Sequence, residues 1–557
     1  MTDVAPGPTA PVAEDQRGRA LARSSLINLV GFAAYGVSNF LLIVVVTQRL
    51  GASGAGALLE AIAVFNIVAR SAMAGTDLAL VRFTSRFLTR NRHRELRTLF
   101  RIALRPVLAV SVTAGAALFL LADPLGHLLT SGESAESLTT YLRVLAPFIP
   151  IACVYQVIEG GSRGFGTMLP GVVVERFGRS SLLPIVMLLV LAGGGSATVV
   201  GLAWAGPFAL ALIPMALWTT SLLRRAERDL VARLGGTPAA PEADVDLTDR
   251  ELAAVAGTDS GVEVDLDGDA ALAPGTAPAP LPEGELRKRF WSFAIPRSFA
   301  GVFALTIMWV DALLLGAMEG TEAVGVYTAA TRWLIVGNFA GNAVTIAFGP
   351  QISAVLASDR DGAAGRLFRS AAAWFILLAW PPYLTAMVFA PFLVTAFGSD
   401  FGDGAAVIVI TGIGFLFSSA AGPIDMLLLM AGRSRLSLIN TGVALVTNVG
   451  ANLLLIPVWG IRGAALAWTC SLVVANGLPL VQMYRLLGIQ PFGARTLRAL
   501  GIGALVGVGL LAGRAALGPT AGGLALGLAL GGAALVAGVR FSPDRMGVED
   551  MLRRTAR

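Results

Sequence analysis

Residues 48–56 read Gln48-Arg49-Leu50-Gly51-Ala52-Ser53-Gly54-Ala55-Gly56 and stand between two long apolar runs. A polar pair followed by clustered glycines ends one helix and opens the next. The same kind of junction returns at Leu315-Gly316 with Gly320 and Gly325, about 265 residues on. A second echo follows, because Asp123-Pro124-Leu125 with Gly132 matches Ala390-Pro391-Phe392 with Gly398, about 267 residues apart. Two halves of six spans each explain both echoes. Six is even, so the second half enters the membrane from the same side as the first. The repeats are then parallel and flank one central cavity that opens alternately to either side.

Composition agrees with a membrane reading. Of 557 residues 55% are hydrophobic and 14% charged, and 65 are glycine, about 12% against a usual ~7%. That much apolar surface predicts an all-α polytopic membrane protein. With about 20 apolar residues per crossing, fourteen spans are predicted: 25–48, 54–79, 103–122, 138–159, 172–194, 198–222, 290–316, 325–348, 369–395, 405–431, 436–457, 461–485, 496–515 and 520–540. The domains that follow are a disordered tail (1–23), an N-lobe (24–223), an acidic linker (224–289), a C-lobe (290–490) and a last helix pair with its tail (491–557). Cys153 and Cys470 lie in apolar runs and form neither a disulfide framework nor a metal motif. No Walker A, Rossmann or HExxH pattern is present, so ATP hydrolysis and zinc chemistry are not expected, and neither an enzyme nor a resident cofactor is predicted.

Loop charges set the orientation. Eight arginines (82, 86, 90, 92, 94, 97, 101 and 105) crowd one loop with a single glutamate, and Arg163, Arg176, Arg179, Arg360, Arg366, Arg369, Arg433, Arg435, Arg485, Arg495 and Arg498 mark alternate loops after it. These loops are placed in the cytoplasm of an inner (plasma) membrane, with both termini. Contact with anionic lipid accounts for the eight-arginine loop without a specific partner, and nothing predicts nucleic-acid binding. Residues 236–286 hold twelve acids and one base, Arg250, with no apolar period. They read as a disordered linker open to cytoplasmic assembly partners. Asp265, Asp267, Gly268 and Asp269 resemble the start of a calcium loop but lack its closing glutamate.

Ionisable residues inside spans are the candidates for a pathway. Arg70 lies mid-span, with Asn66 one turn before it on the same face. Arg297 and Asp311 fall on one stripe of span seven about 21 Å apart, with Pro296 beside the arginine. Arg332 of span eight lies near the repeat position of Arg70, with Asn338 and Asn342 on an adjoining stripe. Glu60, Asp311 and Asp425 are candidates for a coupling ion, H⁺ or Na⁺. An interhelical salt bridge remains the plain alternative for Arg297 and Asp311. Arg143, Asp77 and Glu159 sit close enough to span ends to serve as anchors. Asn440, Asn448 and Asn452 are read as interhelical hydrogen-bond glue.

Several motifs also resemble a known family. Asn28 and Asn39, the 48–56 junction and Val81-Arg82-Phe83 look like the first half of Wzx-type polysaccharide-biosynthesis flippases. Val324-Gly325-Val326-Tyr327-Thr328-Ala329-Ala330-Thr331-Arg332, and Asn448 through Gly463-Ala464-Ala465 with Ile456-Pro457-Val458-Trp459-Gly460-Ile461, look like the second. That group belongs to the MATE-like MOP exporter superfamily. The resemblance implies a flippase for a polyprenyl-diphosphate-linked oligosaccharide, working among membrane lipids. Arginine suits the diphosphate because its planar fork bonds two oxygens and stays charged. The rivals are a lipid II flippase, a multidrug cation antiporter, a membrane glycosyltransferase and a scaffold built on the linker. The antiporter is disfavoured by the absence of any acid between Leu26 and Val46, and the glycosyltransferase by the lack of a large external loop.

Overall fold

The computed structural model describes residues 11–90, 92–234, 281–357, 363–431 and 433–542. Every regular element among them is helical. In the first half these are α1 (Pro11–Met73), α2 (Thr76–Thr89), α3 (Leu96–Leu120), α4 (Ala122–Leu129), α5 (Glu133–Leu145), α6 (Phe148–Arg163), a π-helical stretch (Gly171–Arg179), α7 (Ser180–Ala192) and α8 (Ala197–Leu234). The second half has α9 (Glu283–Glu319), α10 (Thr321–Ala357), α11 (Ala363–Val388), α12 (Ala390–Leu393), α13 (Gly404–Ala420), α14 (Ile424–Met430) and α15 (Ser434–Leu487). A final pair is α16 (Ala494–Leu517) and α17 (Ala521–Arg540).

Among the described residues eight helices are long and apolar enough to cross a membrane, or nine when the bent pair Ser134–Leu145 and Phe148–Arg163 (53°) is taken as one span. The protein is an all-α polytopic membrane protein. A straight helix of 63 residues, the length of α1, would reach ~95 Å against a hydrocarbon core of ~30 Å. Gly51 (φ 69°, ψ −175°) interrupts it, and Gly460 (φ 52°, ψ −130°) interrupts α15 in the same way. An L side chain rarely adopts such positive φ values.

Several boundaries differ from the expected ones. Helix α1 begins at Pro11, inside the segment read as a disordered tail. The chain kinks at Ala74-Gly75 (φ 48° and 73°) and continues as α2, so part of the eight-arginine loop is helical. Span ten is broken at Gly422-Pro423 into α13 and α14. Helix α9 starts at Glu283, taking the last residues of the expected linker, and runs through Pro296 without interruption. Residues 1–10, most of the linker (235–280, with its calcium-like acids) and 543–557 lie outside the described residues.

The repeat is present with a different register from the expected one. Gly51 has its counterpart in Gly320 (φ 86°), not Gly316, and Gly56 in Gly325, both 269 residues on. The two motifs also touch. A Cβ on Gly56 would overlap the Thr321 carbonyl, and one on Gly325 would overlap the Ala52 carbonyl. Between helices in lipid, where water cannot drive association, backbone approach at small residues supplies the packing. Close by, the hydroxyls of Ser53, Ser134 and Thr321 lie 3.0–3.1 Å apart and tie α1, α5 and α10 together. Gln48 donates to the Ala396 carbonyl at 2.9 Å.

Each half has its own aromatic centre. Phe65, Trp204, Phe208 and Tyr155 pack at 5.2–6.0 Å between centroids in the first. In the second, Tyr383, Phe415, Trp468 and Tyr327 form a chain at 5.2–6.4 Å. Helices α16 and α17 form a hairpin whose backbones meet at Gly513 and Gly527. Arg514 clips it to α11 by donating to the Val388 carbonyl at 2.6 Å.

Candidate functional site

The second part of α1, beyond Gly51, runs antiparallel along α9 and makes a seam between the halves. Glu60 lies over Gly316, and Arg70 lies over Gly301, where a Cβ would stand 2.9 Å from Nη2. Gly75 meets the Ala294 carbonyl, and the Arg82 guanidinium sits 4.5 Å from the centre of the Phe293 ring. The seam therefore has an apolar end near Gly51, holding the buried Glu60, and an arginine-rich end.

At that second end several predicted residues come together. Arg70 donates to Asp77 at 2.7 Å, so Asp77 is an ion-pair partner and not a lone anchor. Arg297 feels the charges of Asp425, Arg82 and Asp77. Asp425 stands at the start of α14, beside the break in span ten. It is exposed and accepts from the Ser437 hydroxyl at 2.7 Å. Three cations (Arg70, Arg82, Arg297) on α1, α2 and α9 thus lie near two acids (Asp77, Asp425). Asn66 is half-buried one turn before Arg70.

Arg332 is not part of this group. The 269-residue register places Phe339, not Arg332, opposite Arg70. The Arg332 guanidinium lies 5.6 Å from the Trp309 ring, and its Nε has no hydrogen-bond acceptor among the described residues. Asn338 and Asn342 lie on α10, and their side chains are outside the described set.

Asp311 is separated from Arg297 in environment as well as height. It is 2% exposed and accepts from the Tyr327 hydroxyl at 2.9 Å and the Asn452 amide at 2.6 Å. Asn452 also donates to the Asn448 carbonyl, and Asn448 to Ser471 at 3.4 Å. The carboxylate is thus met by donors, a hydroxyl and an amide N–H, which suit an anion. Asn440 and Gln482 exchange two amide hydrogen bonds of 2.8 Å across the two parts of α15. They and the Asn448–Ser471 pair act as glue, whereas Asn452 reaches the carboxylate.

A cluster in the first half escapes the sequence reading. Arg163, Arg176 and Arg179, expected as loop charges, lie at the end of α6 and in the π-helical stretch. Glu175 pairs with Arg179 and accepts from the Tyr155 hydroxyl at 2.7 Å, while Arg179 stacks 4.2 Å above the Phe208 ring. Glu159 and Arg163 approach to 3.7 Å. Both acid–base pairs are spaced i, i+4, a signal visible in the sequence. Similarly, Arg143 pairs with Asp123, and Arg92 is buried with Glu95, which accepts from the Leu281 amide at 3.1 Å.

With this geometry in place, comparisons with known proteins fix the fold. The sequence matches no curated protein. The fold is similar to that of "Lipid II flippase MurJ, inward closed conformation", with TM-score 0.64 and 10% identity, covering 92% of this chain and 98% of that one. It is similar to an inward-facing multidrug resistance MATE family transporter of the MOP superfamily, with TM-score 0.56 and 16% identity, over 80% of this chain and 93% of that one. A point variant of the Vibrio cholerae MATE transporter VcmN gives TM-score 0.51 and 14% identity, over 87% of this chain and 99% of that one. Residues 29–190 match the MatE family model, so the first half carries a MatE sequence signature and nearly the whole chain carries the fold of these membrane transporters.

Proposed function

We propose that the protein is a MOP-superfamily transporter that flips a polyprenyl-diphosphate-linked oligosaccharide from the cytoplasmic to the outer leaflet of the plasma membrane. It moves its substrate by alternating access and does no chemistry on it. The observation that carries this reading is the excess of arginine over acid at one end of the seam between the halves. Arg70 and Arg297, beside Arg82, supply the guanidinium forks that suit a diphosphate. Arg332, as a further arginine for the diphosphate outside that cluster, with Asn66, Asn338 and Asn342 completes the proposed substrate-binding set of the central cavity. The loop arginines support a cytoplasmic side for this end, both termini and the linker, and the proposed count of fourteen crossings exceeds the nine apolar spans among the described residues. Asp311, Glu60 and Asp425 are the groups for a coupling H⁺ or Na⁺, each charge moved across the membrane being worth about 2.3 kcal/mol per 100 mV.

A lipid II flippase is the second reading. It is favoured over a drug antiporter by coverage, since the match to MurJ takes in 92% of the chain and that to the inward-facing MATE transporter 80%. The experiment uses liposomes holding a fluorescent polyprenyl-diphosphate sugar whose outer-leaflet fraction is read with an impermeant quencher. Protein-dependent exposure that falls about tenfold in both Arg70→Ala and Arg297→Ala, as loss of a charge-assisted contact predicts, supports the flippase and its site. Exposure unchanged in both variants discards the site, and no exposure with ion gradients supplied discards the substrate.

A further inference from the structure

Glu60 is 0% exposed, and neither carboxyl oxygen has a hydrogen-bond partner among the described residues. It sits one turn below Gly56, on the same face of α1. Gly56 is pressed against the Thr321 carbonyl of α10, and Glu60 lies over Gly316 of α9. Gly316 leaves room for the carboxyl, since a Cβ there would overlap it. The residue therefore fills the seam just beneath the point where the two repeat motifs touch. Of the titratable groups on the elements packed there, Tyr141 and Arg143 of α5, Asp311 and Glu319 of α9, and Glu322 and Tyr327 of α10, none forms an ion pair or hydrogen bond with Glu60 among the described residues. Arg143 pairs with Asp123, Tyr327 with Asp311, and Glu319 and Glu322 are exposed.

The geometry points to Glu60 as a proton-operated latch of the Gly51 end. The closed seam accepts it as a neutral acid, because an ionised carboxylate there is fully buried with no partner among the described residues. When the halves part at this end, water reaches the carboxyl, its O–H bond breaks and the proton passes to that water. Each opening at this end thus releases one proton, and closing takes one up. This rests on the transporter reading in that the halves must part here, and it names the coupling ion as a proton.

The test reads the gate without any transported substrate. In a background with Cys153→Ala and Cys470→Ser, Thr321→Cys reports the seam, because Thr321 is 2% exposed. Labelling by an impermeant maleimide in proteoliposomes is normalised to Ser131→Cys, an exposed position in the loop before α5. With Glu60 present, normalised labelling rises with pH by up to about tenfold per unit, the limit for one linked proton. Glu60→Gln keeps labelling low at every pH. Gly316→Ala, which displaces the carboxyl from its seat, raises labelling at low pH and decides the matter should Glu60→Gln fail to fold. A pH response that survives Glu60→Gln, or is absent with Glu60 in place, overturns the latch. So does a response unchanged by Gly316→Ala. Loss of the latch with flipping intact leaves the proposed function standing, and a pH-gated seam without flipping removes only the substrate reading.

Discussion

Asp311 and Glu60 are buried carboxylates on helices that touch, yet Asp311 is held by the Tyr327 hydroxyl and the Asn452 amide, whereas Glu60 has no hydrogen bond among the described residues. The partners of Asp311 all come from the second half, so its bonds survive any movement of one half against the other. Glu60 belongs to the first half and rests on a glycine of the second. A satisfied acid is part of a rigid unit, and an unsatisfied one at a seam marks where the units separate. Burial of both makes the difference costly, because an unmet buried charge loses far more than a met one gains.

The largest expected effect breaks the seam and spares the Asp311 pocket. Gly56→Leu places a side chain where the Thr321 carbonyl lies, and overpacking of about 1–3 kcal/mol lowers the closed population by about tenfold or more. Flipping in the liposome assay is expected to fall accordingly, with Thr321→Cys labelled rapidly at all pH values; flipping at the original rate would show that the halves need not close here. Next, Asp311→Ala leaves the Tyr327 hydroxyl and Asn452 amide unmet and is expected to cost about 1–3 kcal/mol of stability, read as a lower Tm in detergent. Glu60→Leu breaks no hydrogen bond and is expected to stay within about 1 kcal/mol of the parent. Equal losses in the two variants would erase the comparison. The smallest effect is that of Asn440→Leu, which removes the amide exchange with Gln482 at a cost of about 0.6 kcal/mol, again by Tm, with the pH response of the seam unchanged.

The helical class and the two-part repeat are legible in the sequence because hydropathy runs and clustered glycines are local features. The register is not. Leu315-Gly316 looks more like Leu50-Gly51 than the true counterpart does, and only the backbone shows that Gly320 has the positive φ. That shift of a few residues pairs Arg332 with Arg70, and the pairing is absent from the fold. Charge counting likewise sends Arg163, Arg176 and Arg179 into loops, because a window average does not see that Glu159 and Glu175 accompany two of them one turn away. Arg70 and Asp77, seven residues apart across the kink at Ala74-Gly75, are invisible as an ion pair for a related reason. A straight helix would put them on one face but two turns, about 10 Å, apart, and only the kink closes that gap.

The C-terminal hairpin gives the molecule ballast on one side. Its glycines let α16 and α17 close on each other, α16 lies along α11, and the Arg514 clip fastens their turn to the end of that helix. All of these attachments are to the second half, so the two repeats share a plan but carry different mass. Under the alternating-access proposal, and with the second half as the fixed frame, the swing belongs to the first half, residues 11–234, with the hairpin acting as a keel.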